Sequence, residues 1–292
     1  MTQRPDIICI GAVLWDIIGR ATSHMNKGSD VPGRITRNPG GVALNIAMAL
    51  KAYGMYPALL SVIGSDEEGT ELQGACARLG MNMDHVYRSN DLPTDRYMAV
   101  EGGNGLIAAI ADAHSLEAAG DKILRPLRGG DLSGWSGLIA LDGNLTLSLL
   151  EDIAHDPAFA AADLRIAPAS PGKAERLTPF LSHPRATLYV NLEEAGLLLH
   201  RSYKTSKDAA LALLDSGLHR CLVTDGPNPA TAASRNNVLT LVPREVLVTR
   251  VTGAGDTFMA AHIAAEAEGL AEEAALARAL DATAIYISGE SY

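Results

Sequence analysis

From Gly137 onward, short apolar runs alternate with helical stretches, and this regularity restricts the fold more than any other feature. Gly137–Leu141, Leu164–Ala167, Thr187–Val190 and Cys221–Thr224 read as strands, with helical segments between them. Strands joined through helices pair in parallel, and the helices then cover both sheet faces. The crossovers are expected to be right-handed. The first half adds Asp6–Ile10 and Ala58–Ile63 as strands and Glu68–Leu79 as a helix. Another helix follows Gly40-Gly41, where Val42, Ile46, Ala49, Leu50 and Tyr53 recur at helical spacing and Gly54 is a natural C-terminal stop. The expected class is α/β, three-layer α/β/α with a mainly parallel central sheet.

Two segments break the alternation. Arg96 to Ala111 reads as two short strands around Gly102-Gly103-Asn104-Gly105, a hairpin turn by composition. The stretch Ile18–Asn38 is polar and irregular. Both are assigned to a small β-sheet lid, formed by about residues 12–38 and 95–112 of a single domain spanning residues 1–292.

Composition narrows the partners. The chain carries a net charge of -10 and no long Lys/Arg cluster, so a nucleic-acid polymer is excluded as a partner. An anionic substrate must then be met locally, by backbone amides at helix N-termini and by a metal ion. Cys9, Cys76 and Cys221 are widely spaced and form no CxxC pair, which fits buried thiols in a reducing cytoplasm rather than a disulfide framework. The start MTQRPDIICIG does not read as a signal peptide, and no apolar run is long enough to span a bilayer.

The strongest chemical signal is Val251-Thr252-Gly253-Ala254-Gly255-Asp256-Thr257-Phe258, a tight turn opening a helix from Asp256 to Glu268. Free N–H groups at a positive helix end suit a phosphate or oxyanion. A carboxylate in the first turn is expected to stay ionised and can take a proton from an attacking alcohol. The same spacing also fits a capped helix with no ligand. Gly41 and Asn45 share a helix face, and with Gly40 and Asp16 they suit a sugar diol. Asn191 and Glu194 open another helix after a strand. Glu194 could hold Mg²⁺ through water, and the N-x-x-E spacing equally fits a helix cap. Polar residues gather where strands end: Asp16, Asp142 and Asn144, Ser170 and Lys173, Asn191 and Glu194, Thr224 and Gly226. Open α/β sheets bind ligands at that edge. No GxGxxG opens the first strand–helix turn, no GxxxxGK[ST] occurs, and the HRD and DFG motifs of protein kinases are missing. The eight His residues show no HxH or HExxH spacing.

Taken together, the motifs resemble those of the ribokinase-like (PfkB) carbohydrate and nucleoside kinases over nearly the whole chain. Gly40-Gly41-Val-Ala-Leu-Asn45 with Gly54 and Gly64 resembles the N-terminal signature, and Thr252-Gly-Ala-Gly-Asp256 the C-terminal one. Asn191 and Glu194 match the NxxE motif, and Thr224-Asp-Gly226 the nucleotide-side strand end. Trp15-Asp16-Ile-Ile-Gly19, Asp30-Val-Pro-Gly33, Tyr97-Met-Ala-Val, Ala109-Ile-Ala-Asp112, Leu141-Asp-Gly-Asn144 and Pro168-Ala-Ser170 with Lys173 are similar to the pseudouridine-kinase subgroup.

The resemblance implies ATP-dependent phosphorylation of a ribonucleoside 5'-hydroxyl, pseudouridine first. Ribose, fructose and adenosine are the alternative acceptors, and a non-catalytic nucleoside-binding relative is the alternative of another class. It implies Asp256 as base and the amides of Gly253, Ala254 and Gly255 as the anion hole. Asp16, Gly40, Gly41 and Asn45 would hold the sugar. Asn191, Glu194, Thr224, Gly226, Thr252, Gly253 and Gly255 would serve ATP and Mg²⁺. It also implies a homodimer formed through the lid. Arg250 stands where the signature commonly has Asp, which puts a K⁺ site in question and suggests that the guanidinium itself supplies positive charge beside the anion hole.

Overall fold

The structure, a computed structural model, describes residues 4–289. In chain order the strands are β1 Ile7–Ile10, β2 Leu14–Arg20, β3 Arg34–Gly40, β4 Pro57–Leu60, β5 Val62–Gly64, β6 Tyr87–Ser89, β7 Arg96–Gly102, β8 Gly105–Asp112, β9 Leu138–Asp142, β10 Asp163–Ala167, β11 Ala186–Asn191, β12 Arg220–Asp225, β13 Asn228–Ser234 and β14 Val238–Leu241. The helices are α1 Val42–Ala52, α2 Glu67–Arg78, α3 His114–Ala119, α4 Arg125–Arg128, α5 Leu147–His155, α6 Leu192–Leu198, α7 Ser206–Asp215, α8 Ala254–Ala267 and α9 Glu272–Ser288.

The large sheet runs β14-β13-β12-β11-β10-β9-β1-β4. Its strands from β12 to β4 are parallel, and β13 and β14 close one edge as antiparallel strands. The strand alternation explains why both faces are buried. Ile8 and Ile10 of β1 point into one core with Ile139, Leu141, Leu164, Ile166 and Leu188. Ile7 and Cys9 point into the other with Ala140, Leu222, Leu44 of α1 and Met259 of α8. A parallel sheet wrapped by helices on both faces needs such continuous apolar strands.

The small sheet has the order β3-β2-β7-β8. Here the structure corrects the sequence reading. Ile18–Asn38 is not irregular throughout: β2 and β3 flank the Ala21–Gly33 loop and pair antiparallel from Leu14↔Gly40 to Arg20↔Arg34. Exposed Arg34, Arg37 and Asn38 make β3 look like a loop, because most of its side chains meet no apolar core. The run Ala58–Ile63 also divides at Ser61. Pro57–Leu60 joins the large sheet, whereas Val62–Gly64 pairs with Tyr87–Ser89 in a separate two-stranded sheet. Helix α8 begins at Ala254, two residues before the expected start.

Candidate active site

Loops at the C-terminal ends of the parallel strands and the inner face of the small sheet enclose a cleft of about 540 Å³. Cross-strand register assigns the small sheet's contribution. Asp16 pairs with Tyr97, and Tyr97 pairs with Ala111, so these three share one face. All three line the cleft, as do Gly41, Asn45, Asn191, Glu194, Thr224, Thr252, Gly253, Ala254, Gly255 and Asp256. Two more open surface depressions, beside His155 and beside Tyr87, lie away from these residues.

Asp256 occupies the first turn of α8, whose N-cap Gly253 sits in the left-handed region at φ 86. The N–H groups of Gly255 and Asp256 have no hydrogen-bond partner among the described residues, as a helix N-terminus requires. Ala254 differs from expectation: its N–H donates to Val251 O at 3.0 Å and is tied back into the turn. The expectation of a fully ionised Asp256 also fails. Burial, opposed by one hydrogen bond and aided by Asp142, Asp16 and Glu194, pushes its carboxyl up to about 7. The Asn45 hydrogen bond lowers it but does not offset burial.

That single hydrogen bond comes from Asn45, whose Nδ2 donates to Asp256 Oδ2 at 2.9 Å. The contact joins helices α1 and α8 across most of the sequence. It also changes the reading of Asn45, expected on the sugar: its amide nitrogen is bound to the carboxylate in this structure. Gly41, the N-cap of α1, has φ 98, and a Cβ there would lie 2.4 Å from Ala12 O. Gly40 does not line the cleft. A Cβ at Gly40 would stand 2.0 Å from Asp16 Oδ2, so its bare Cα makes room for that carboxylate. Asp16 itself is pushed up to about 6 by burial alone.

On the opposite wall Asn191 and Glu194 form a capping box. Glu194 N–H donates to Asn191 Oδ1 and Asn191 N–H to Glu194 Oε2, each at 2.8 Å. The helix-cap reading and the cleft reading of this motif therefore both hold, because Glu194 also faces the cleft. Gly226 lies outside the lining, in the β12–β13 turn at φ 54. Among the described residues no group of three His, Cys, Asp or Glu could hold a metal. This donor set fits Mg²⁺ held by one carboxylate, water and phosphate oxygens, and not an all-protein cage.

Sequence reasoning quoted Tyr97 and Phe258 within longer motifs without giving them a role and did not note Tyr189; all three line the cleft. Alternation from Asp16 could not have found Tyr97, since the β2–β7 pairing is not local. Asn144 and Lys173, noted as strand-end polar residues and within the subgroup resemblance but given no role, form a linked wall. Asp142, fully buried, accepts from Ala12 N at 2.8 Å and from Asn144 Nδ2 at 2.9 Å. Asn144 Oδ1 accepts in turn from Lys173 Nζ. Lys173 is the cation that lines the cleft, and burial lowers its pKa. Arg250 is not in the lining. Its guanidinium stacks 3.9 Å from the Tyr286 ring centroid behind the turn, so it does not supply charge at the anion hole as expected.

Comparison with known proteins gives the family and the fold. The family model described as pfkB family carbohydrate kinase matches residues 4–291. A pseudouridine kinase of Escherichia coli (strain K12) is 26% identical over 281 residues, covering 92% of this chain and 86% of that protein. A pseudouridine kinase of Arabidopsis thaliana is 25% identical over 254 residues, covering 79% of this chain, which spans 65% of that protein's length. Among solved structures, Arabidopsis thaliana ribokinase complexed with ribose and ATP superposes with a TM-score of 0.78 at 19% identity. The match covers 98% of this chain and 93% of that one, and shows the ribokinase-like fold.

Proposed function

We propose, from the premise that the chain belongs to the pfkB family of carbohydrate kinases, that it transfers the γ-phosphoryl group of ATP to the 5'-hydroxyl of pseudouridine. A sugar or nucleoside kinase is what family membership implies. The choice of acceptor rests on the similarity to the two pseudouridine kinases and on the polar Asn144–Lys173 wall available to a base.

One observation carries the reading. Asp256 lies at the mouth of a helix with unpaired amides, in the same cleft as Asp16 and Gly41. Asp256 accepts the proton of the acceptor hydroxyl as that oxygen bonds to phosphorus, the bridging P–O bond breaks, and ADP leaves. The amides of Gly255 and Asp256, with that of Gly253, stabilise charge on the transferring group. Asp16, whose carboxyl burial pushes up to about 6, accepts from the ribose hydroxyls. Asn45 orients Asp256. Glu194 would hold Mg²⁺ through water, and that ion would supply positive charge against the phosphates. Asn191, Thr224 and Thr252 serve the nucleotide side, with Gly226 shaping the turn behind it. The small sheet is a lid that shuts water out, because water would compete as phosphoryl acceptor.

The outward face of that sheet supports pairing of two copies. Ile35, Met98 and Ile110 are exposed by 77%, 47% and 63%, and Met98 and Ile110 are register partners. The edge strand β8 carries no charge before Asp112. A long uncharged edge beside an apolar face invites a symmetric partner. Sedimentation should give a dimer that Met98→Glu converts to monomer.

The acceptor is tested by ADP release with pseudouridine, uridine, adenosine and ribose. The largest kcat/KM is expected with pseudouridine, and a higher value with any other acceptor overturns that choice. Turnover in K⁺ and in Na⁺ should be equal, since Arg250 occupies the signature Asp position.

A further inference from the structure

The turn that carries the anion-binding amides is poorly packed from outside. Val251 is 70% exposed and Thr252 is exposed as well. What holds it lies behind, in the last turn of α9. Tyr286 donates its hydroxyl to Thr252 O at 2.8 Å. A Cβ at Gly253 would stand 2.5 Å from that same hydroxyl, so the phenol is seated directly against the N-cap of α8. The phenol is itself held. Arg250 stacks on its ring and donates Nε to the Tyr286 carbonyl at 2.6 Å. The N–H groups of Thr249 and Arg250 both donate to Ile287 O, at 2.8 and 3.2 Å, and Thr249 Oγ1 donates to the same oxygen at 3.0 Å. These bonds satisfy carbonyls that a helix C-terminus leaves open, and a guanidinium is favoured at that negative end.

The consequence for the cleft follows from peptide geometry. In a trans peptide the C=O and the next N–H are antiparallel and rigidly coupled. A donor fixed on Thr252 O therefore fixes the direction of Gly253 N–H, on the opposite side of the same plane. The next plane is pinned too: Gly253 O accepts from Thr257 N at 3.0 Å and from Thr257 Oγ1 at 2.9 Å. Thr257 lies within α8 and is buried, whereas the Tyr286 bond reaches the turn from another element. Without it, the Thr252–Gly253 peptide would lose its contact with α9 and keep the Ala254 N–Val251 O bond that spans it, which leaves its tilt less defined.

We propose that Tyr286 is a positioning residue for phosphoryl transfer: its hydroxyl, clamped by Arg250, sets the orientation of the Thr252–Gly253 peptide and so the aim of the anion-binding turn beside Asp256. This rests on the kinase reading and adds a residue far outside both signatures. Misplacement of transition-state donors by a fraction of an ångström acts on kcat and spares ground-state binding of the acceptor.

The test is Tyr286→Phe, which removes one oxygen and keeps the ring under Arg250. The expected result is a fall in kcat of roughly tenfold, the order set by one hydrogen bond, with the acceptor KM changed less than about twofold and thermal stability unchanged. Arg250→Gln should lower kcat about threefold alone and produce no further loss in the Tyr286→Phe background, because both act through one hydroxyl. Wild-type kcat in Tyr286→Phe overturns the proposal. So does a loss confined to KM, a loss that tracks melting temperature, or additive effects of the two substitutions. A wild-type enzyme silent across the whole acceptor panel overturns the kinase reading and this inference together. An active wild type with an unaffected Tyr286→Phe overturns this inference alone.

Discussion

Helix α8 carries a carboxylate near each end, and the two have opposite fates. Asp256, in the first turn, faces other carboxylates and one amide, and burial drives it up to about 7. Glu266, near the last turn, meets Arg165 and also Arg220 at 2.5 Å, and those guanidinium groups hold it down to about 2. Arg165 is buried, is paired again with Asp163 at 2.7 Å, and reaches the Tyr189 hydroxyl at 3.1 Å. His262, between the two ends, is kept neutral by burial, its pKa lowered to about 3, and its Nδ1 lies 2.9 Å from the same hydroxyl. One end of the helix is saturated with cations and anchored to β10 and β12. At the other, Asp256 has a hydrogen bond from Asn45 and no ion pair among the described residues. An anchor needs a fixed charge, whereas a proton acceptor needs a charge that can change.

Exchanging the roles of the two ends should break that contrast. Asp256→Asn is expected to lower kcat by roughly a thousandfold while leaving nucleoside binding measurable by calorimetry. It should also raise the melting temperature at pH 8 by about 1–2 °C, roughly what relief of about 1 kcal/mol gives in a chain of this size. The sign follows from linkage: a carboxyl raised in the folded state contributes stability below its unfolded value near 3.8 and loses it as pH climbs through about 7. Glu266 behaves inversely, with stability present above its ordinary 4.5 and lost as pH falls towards about 2. Glu266→Gln, which leaves Arg165 and Arg220 short of a partner, should cost about 3 kcal/mol in urea unfolding and little in kcat. A smaller effect is expected for Asn45→Ala. Loss of its hydrogen bond should move the acid-side limb of the rate profile to higher pH and reduce kcat by about tenfold at pH 7.

The same contrast shows what the chain disclosed in advance. The parallel sheet was legible because Ile7–Ile10 and Leu138–Asp142 are apolar on both faces, a local pattern. The turn at Gly253 and the carboxylate at Asp256 were legible because they sit in one short segment. β2 and β3 were harder, since a half-exposed strand with Arg34, Arg37 and Asn38 carries no strong alternation. The run through Ser61 gave no hint that one apolar stretch serves two sheets. The Asn45–Asp256 bond, the Tyr97–Asp16 pairing and the Arg165–Glu266–Arg220 cluster join distant segments, and no single-window pattern announces such contacts. Asp256's raised pKa was also missed, because helix position is read from sequence whereas desolvation is read from the closed cleft.

The most direct test of the central claim is the pH dependence of kcat/KM for the best acceptor. If Asp256 is the base, log kcat/KM rises with unit slope below about pH 7 and levels off above it, and the residual activity of Asp256→Asn shows no such rise. A wild-type profile that is flat between about pH 5 and 8, or an Asp256→Asn enzyme that keeps the same inflection, would contradict it.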